Sequence, residues 1–233
     1  MKPLFLITAR GGSKGIPGKN LKLFLRKPLL YYAIDTARKL ASDTDICLST
    51  DDDDIIRAAE TYGLSVPFKR PDVLATDQAG SYEVILHAVD FYKKQHRYYD
   101  VVVLLQPTSP FRTVEHVQEA IDLYSDELDM VVSVTPSDHS PYFDLFEENT
   151  TGYLKKSKEG HFARRQDYPA VYAYNGAVYV INVATLEQMP LSQFSKIKKY
   201  VMSADDSIDL DTPLDWLFAE FLATRRAVSD NVI

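Results

Sequence analysis

Apolar residues come in short blocks separated by polar runs, and the period inside the blocks alternates along the chain. Leu4-Phe5-Leu6-Ile7 is an unbroken apolar run of a length that suits a buried strand. Lys27-Pro28 opens a predicted helix running to about Leu40, with Leu30, Ile34 and Ala37 on one face. Residues 45–49 read as a second strand, and residues 52–62 as a helix with acids in its first turn and Gly63 as its stop. Residues 65–68 read as a short strand that ends at Lys69-Arg70-Pro71. Ser81 is the predicted cap of a helix to about Lys94, apolar at Val84, Ile85, Ala88, Val89 and Tyr92. Residues 100–105 form an apolar central strand closed by Gln106-Pro107-Thr108-Ser109-Pro110. A helix from Thr113 to about Tyr124 and a strand over 130–134 follow.

This alternation predicts an α/β fold with a mainly parallel sheet. In such sheets ligands lie over the C-terminal ends of the strands. The segments at 9–20, 69–71 and 106–110 are all polar and all follow predicted strands. The pattern changes over 136–175, where five tyrosines (142, 153, 168, 172 and 174) flank a turn at Asn149-Thr150-Thr151-Gly152. Alternation there predicts a β-hairpin or arm rather than another βα unit. Its Tyr content, with Arg164 and Arg165, favours a subunit interface over a fold-back on its own domain. Residues 177–182 and 198–203 read as further strands, and Trp216, Phe218 and Phe221 as core packing of a last helix.

The segment that changes the picture most is Ala9-Arg10-Gly11-Gly12-Ser13-Lys14-Gly15-Ile16-Pro17-Gly18-Lys19-Asn20. It holds four of the chain's nine glycines, with Arg10, Lys14 and Lys19 among them. Glycines let backbone N–H groups approach a ligand, and interleaved cations supply the charge a polyphosphate needs. Residues 1–34 carry seven Lys/Arg and no acid, although the whole chain has a net charge of −7. A local cationic pocket in an acidic protein points to a small anionic ligand and away from nucleic acid. Spacing excludes a Walker A loop, since Asn20 follows Gly18-Lys19 and Ser13 stands where the first glycine belongs. The dinucleotide fingerprint fails for the same want of a glycine at 13.

Near the end, Thr212, Pro213 and Asp215 form a strong helix start. Helix electrostatics explains Asp215 and part of Asp211, but not Asp209. In an extended segment Asp209 and Asp211 point one way and Ile208 and Leu210 the other. Two carboxylates facing one way suit Mg²⁺, which takes one or two of them plus substrate phosphates and water.

At 233 residues, 45% apolar and 25% charged, the chain is expected to fold as a single domain over 1–233, with 136–175 as an inserted arm. The lone cysteine, Cys47, sits in an apolar run and reads as a buried structural thiol, which with the absence of a signal sequence suits the cytoplasm. No apolar run is long enough to span a membrane. His87 reads as packed beside an apolar stripe, and the run 51–54 as a solvated acid face.

Laid out in order, these pieces resemble the acylneuraminate cytidylyltransferases over nearly the whole chain. The segment 9–20 is similar to the family's nucleotide loop. Arg70-Pro71 with Leu74-Ala75-Thr76-Asp77 resembles its second motif, and residues 104–110 with Arg112 its third. Asn175-Gly176-Ala177-Val178-Tyr179 and residues 206–212 resemble the fourth and fifth. The resemblance implies a three-layer, Rossmann-like nucleotide-diphospho-sugar transferase fold with a small β-rich dimerisation arm, and hence a homodimer. It also implies a reaction: CTP and a nonulosonic acid give the CMP-sugar and pyrophosphate. On that resemblance Ala9, Gly11, Gly12 and Ser13 belong to the nucleotide loop, and Arg10, Lys14 and Lys19 hold the triphosphate. Asn20 takes a nearby ribose or phosphate group, and Arg70 and Ser81 contact cytosine or its ribose. Gln106, Arg165 and Asn175 engage the sugar acid, Arg165 through its carboxylate, and Asp209 and Asp211 hold Mg²⁺. The chain departs from the family at Ala173, where a basic residue is common, and at Tyr142-Phe143, where some relatives place a Lys. Pro107-Thr108 replaces a Gly-Asp typical of octulosonate-activating relatives. Sialic, legionaminic and pseudaminic acids all remain open as substrates. So do another nucleotide or a sugar phosphate, and a non-catalytic nucleotide-binding role.

Overall fold

The computed structural model describes residues 1–76, 80–160, 162, 164 and 167–229. Its centre is a six-stranded sheet built from β1 (Pro3–Thr8), β4 (Ile46–Ser49), β5 (Val101–Leu104), β6 (Met130–Pro136), β9 (Tyr172–Asn182) and β10 (Ile197–Val201). The spatial order is β10-β6-β9-β5-β1-β4. β4, β1 and β5 run parallel, as do β6 and β10, while β9 is antiparallel to both its neighbours. The mainly parallel sheet expected from the alternation is therefore present, with one reversed strand inside it.

Both faces of the sheet are covered, which is why β1 is apolar and buried over Leu4 to Ile7 rather than alternating. Phe5 and Ile7 pack toward α1 (Leu29–Leu40), α2 (Asp53–Thr61) and α4 (Val114–Asp122). Leu4, Leu6 and Cys47 pack on the other side with Ile85, Ala88 and Tyr92 of α3 (Ser81–Lys94) and Leu186 of α5 (Val183–Leu186). Burial raises the Cys47 thiol to a pKa of about 12, in keeping with a structural role. A third, smaller core joins Ile16, Phe24, Leu29 and Leu210 to Trp216 and Ala219 of α6 (Pro213–Ser229). It ties the glycine-rich segment to the segment before the last helix.

Several local expectations are corrected. No strand forms over 65–68; the extended chain there makes a single bridge, Lys69 to Thr50. Gly80, not Ser81, is the N-cap of α3, and Ser81 is its first helical residue. Lys27 and Pro28 form β3 (Lys27–Pro28), paired with β2 (Leu23–Phe24), and α1 starts one residue later. Trp216 is buried as expected, but Phe218 and Phe221 are 51% and 55% exposed, on a face of α6 shared with exposed Leu214 and Leu217. The arm contains the predicted hairpin, β7 (Phe146–Glu148) against β8 (Leu154–Lys156), turning through Asn149. Phe146, Tyr153 and Leu154 on it are exposed.

Candidate functional site

The C-terminal ends of β1 and β5 and the first half of the reversed β9 border a cavity of about 710 Å³. Arg10, Ser13, Lys14, Lys19 and Asn20 line it from the glycine-rich segment, and Arg70 and Ser81 from the segments before and at the start of α3. Gln106, Tyr174, Gly176, Tyr179, Asp209 and Asp211 complete the wall.

The glycine-rich segment is fixed by hydrogen bonds at both ends. The Ala9 N–H donates to Ser49 O (3.0 Å), and the Asn20 side-chain amide donates to Arg10 O (3.0 Å). Asn20 is 6% exposed, so it braces the turn as well as lining the cavity. At Gly15 an added Cβ would lie 2.0 Å from the Asp211 carbonyl oxygen, which leaves room for no other residue. That close approach brings the two charged segments together. The Lys19 ammonium donates to Leu210 O and to Asp211 Oδ1, both at 2.8 Å.

Leu210 is fully buried in the third core, with Asp209 and Asp211 directed into the cavity on either side of it, as their alternation predicts. The Leu210 N–H donates to Thr108 O (2.9 Å), which pins the segment to the loop after β5. Asp209 Oδ1 is buried with no hydrogen-bond partner among the described residues. Burial pushes the Asp209 carboxyl above its ordinary pKa, against a hydrogen bond with Thr108; Asp211 adds to the rise and Lys19 opposes it. A buried, under-partnered carboxylate oxygen beside a second carboxylate fits a hard divalent cation. Among the described residues no group of three or more His, Cys, Asp or Glu is placed to hold a metal. The pair would therefore need oxygen donors from substrate, which is how Mg²⁺ is commonly held.

Asn175 is placed differently from Gln106. It is 4% exposed and lies behind the cavity wall, and its amide is spent on Ser133 Oγ (2.6 Å), Ser207 Oγ (2.9 Å) and the Ala177 N–H (3.2 Å). These bonds stabilise a bulge where β9 carries extra residues opposite Ser133 of β6. At the bulge Gly176 has φ +74°, and a Cβ there would meet Gln106 Oε1 at 2.6 Å. The Asn-Gly pair thus seats the Gln106 side chain against the cavity. Beneath it, buried Arg112 donates from Nη1 to Gln106 O and Ala177 O, both at 2.9 Å. Burial lowers its pKa to about 9, which leaves it charged at neutral pH.

Ala9, Gly11 and Gly12 do not line the cavity; Gly11 and Gly12 border a shallow acidic depression with residues 51–54 and Arg57. Arg165 and Asp77 lie outside the described residues. The sequence reading of 51–54 as a solvated acid face holds for Asp53 and Asp54, which pair with Lys69 and Arg57 at the surface. It misses Asp51. Its Oδ1 accepts from Arg70 Nη2 (3.0 Å) and from the Gly11 N–H (3.3 Å), and the Arg70 side chain is only 5% exposed. Asp51 thereby joins the glycine-rich segment to Arg70. The only clue in the sequence is its place two residues after β4, at the end of the sheet where ligands bind.

A family model described as "Cytidylyltransferase" matches residues 4–216. A CMP-N,N'-diacetyllegionaminic acid synthase of Legionella pneumophila is 33% identical over 226 residues, covering 95% of this chain and 96% of that one. A pseudaminic acid cytidylyltransferase of Campylobacter jejuni is 32% identical, covering 95% and 96%. An N-acylneuraminate cytidylyltransferase of Streptococcus agalactiae is 33% identical, but this chain spans only about half of it, 52%. Among solved structures, a CMP:2-keto-3-deoxy-manno-octonic acid synthetase complexed with CTP superposes with a TM-score of 0.71 at 18% identity, over 97% and 100% of the two chains. At that identity the match bears on the fold, and it agrees with the mixed sheet described above. On the family match and on relatives similar over nearly their full length, the chain belongs to the cytidylyltransferase family of nucleotidyltransferases.

Proposed function

We propose that the chain transfers CMP from CTP to a nonulosonic acid of the sialic, legionaminic or pseudaminic type, releasing pyrophosphate. The observation that carries this reading is the 2.8 Å contact between Lys19 and Asp211, which sets the cationic turn and the carboxylate pair on one cavity wall. The anomeric hydroxyl oxygen bonds to the α-phosphorus, the bond to the bridging oxygen breaks, and pyrophosphate leaves with the hydroxyl proton lost. Such a transfer needs positioning and charge compensation more than covalent help.

Arg10, Lys14 and Lys19 meet the triphosphate charge. Arg70, held by Asp51, and Ser81 contact the nucleoside, while Gln106 and the Tyr174–Tyr179 wall face the sugar acid. Tyr174 and Tyr179 pack edge to face at 6.2 Å, and an aromatic surface of that kind suits the acyl and methyl groups of such sugars. Arg165 belongs with the sugar carboxylate on the resemblance alone. Asp209 and Asp211 would hold Mg²⁺, which supplies Lewis-acid stabilisation of charge on the transferring phosphoryl group. Exposed Phe143, Phe146, Tyr153 and Leu154 support a homodimer through the arm. No helix among the described residues is long and apolar enough to cross a membrane. The single, buried, unpaired cysteine Cys47 suits a reducing cytoplasm.

The test is pyrophosphate release with CTP, UTP, GTP and ATP against N-acetylneuraminic, legionaminic and pseudaminic acids and a set of sugar phosphates. Turnover confined to CTP and a nonulosonic acid is expected. No turnover with any such pair overturns the proposal. Sedimentation as a monomer at micromolar concentration would remove the dimer.

A further inference from the structure

Lys19 is bonded to Asp211, one of the two carboxylates that a bound cation would need. Its ammonium lies 2.8 Å from Asp211 Oδ1 and 2.8 Å from Leu210 O, and its side chain is 11% exposed while that of Asp211 is 69% exposed. The lysine is therefore held in the wall, and the carboxylate reaches it from the solvent side. Lys19 also moderates the charge on Asp209, whose Oδ1 has no partner among the described residues. A divalent cation approaching the pair meets a positive charge already bonded to one of its two ligands. A triphosphate entering the cavity, which both Lys19 and Asp211 line, offers Lys19 a more highly charged partner.

Taking the reading of Asp209 and Asp211 as metal ligands, we propose that Lys19 is a built-in counter-ion that keeps the site closed to metal until nucleotide draws the ammonium away. The polyphosphate takes over Lys19, Asp211 is released, and the metal enters a site completed by the phosphates. Nucleotide and metal then bind with positive coupling, each raising the affinity of the other by the same factor. Without nucleotide, the chain does not commit its carboxylates to a free cation. The exchange is one of ion-pair partners, with no covalent step.

The inference is tested by Mn²⁺ binding to the nucleotide-free protein, followed through the electron paramagnetic resonance signal of the free ion. Lys19→Met and Lys19→Gln are expected to bind Mn²⁺ more tightly than the unaltered protein, within the roughly 5- to 150-fold span usual for coupled sites. Lys19→Arg, which keeps the charge, is expected to bind as weakly as the unaltered protein. Lys14→Met makes the same charge change in the same segment and is expected to give a smaller gain. Thermal melting of each variant confirms that it is folded. Affinity unchanged in both Lys19→Met and Lys19→Gln, or a gain matched by Lys14→Met, overturns the inference while leaving the carboxylate pair as the metal site. Tight Mn²⁺ binding that persists in Lys19→Met carrying Asp209→Asn and Asp211→Asn overturns both the inference and the reading of the pair.

Discussion

The chain has two runs of aspartates, 51–54 and 205–211, and they do opposite work. The first is mostly spent on structure: Asp52 caps α2 by accepting from the N–H groups of Asp54 and Ile55, and Asp53 and Asp54 pair with surface cations. Only Asp51 turns inward, and its charge is matched by Arg70. In the second run Asp206 is matched by Arg226 (2.8 Å) and Ser203, and just beyond it Asp215 is matched by the start of α6, where Thr212 and Asp215 bond each other's backbone. Asp209 is left with a buried, unmatched oxygen. Acid content does not separate the two runs. What separates them is whether burial outpaces the supply of partners, and the second run is kept short of partners at one position.

The largest effect expected from this contrast is on turnover. Asp209→Asn combined with Asp211→Asn should reduce the rate of pyrophosphate release on the order of 10³-fold or more. CTP binding by calorimetry in the absence of metal should change by less than about fivefold, since the cations of the glycine-rich segment remain. Retention of full activity would erase the distinction between the runs. Next comes Asp51→Asn, which leaves a buried guanidinium without its carboxylate. It should raise KM for CTP by about tenfold with a smaller change in kcat, because Arg70 and Gly11 lose their common anchor. An equal fall in kcat instead would place Asp51 nearer the chemistry.

A smaller effect concerns stability, and it has a sign that only an under-partnered acid gives. The Asp209 carboxyl has a raised pKa, so above the ordinary range near 3.8 the folded chain holds that proton more tightly than the unfolded chain. Its contribution to stability is present at low pH and is lost as pH rises through the folded-state value. Asp209→Asn removes this loss. The nucleotide-free variant should be more stable at neutral pH by about 1 kcal/mol, roughly 2–4 °C in melting temperature. The gain should vanish below pH 4. Asp206, whose pKa is lowered by hydrogen bonds with Ser203 and Arg226 that outweigh its own burial, should show the opposite trend. Last, Asp53→Asn should leave activity and melting temperature within error, because its pairing with Lys69 is exposed.

Much of the layered sheet was legible because β1, β4 and β5 are buried on both faces and carry unbroken apolar runs. The reversal of β9 was not, since strand direction leaves no trace in apolar periodicity. The missing strand at 65–68 had suitable residues, but beyond the free edge of β4 the pairing is limited to the single bridge between Thr50 and Lys69, so no ladder forms. Phe218 and Phe221 were misread because helical spacing marks an apolar face without saying what covers it. At the site, Arg10, Lys14, Lys19, Asp209 and Asp211 could be nominated from charge and glycine content. Asp51 and the bracing roles of Asn175 and Arg112 could not, since each depends on segments 19 to 65 residues away.

The direction of β9 has one more consequence. The chain leaves the central sheet at Pro136 and re-enters it at Tyr172, and those two residues pair directly across β6 and β9. The excursion between them is thus mounted on a closed clamp whose mouth opens at the cavity rim, two residues from Tyr174. Lengthening, shortening or re-sequencing that excursion would leave Asp209, Asp211 and the cationic turn untouched while changing what borders the cavity rim beside Tyr174. Diversification of acceptor choice on a constant transfer apparatus needs no more than that.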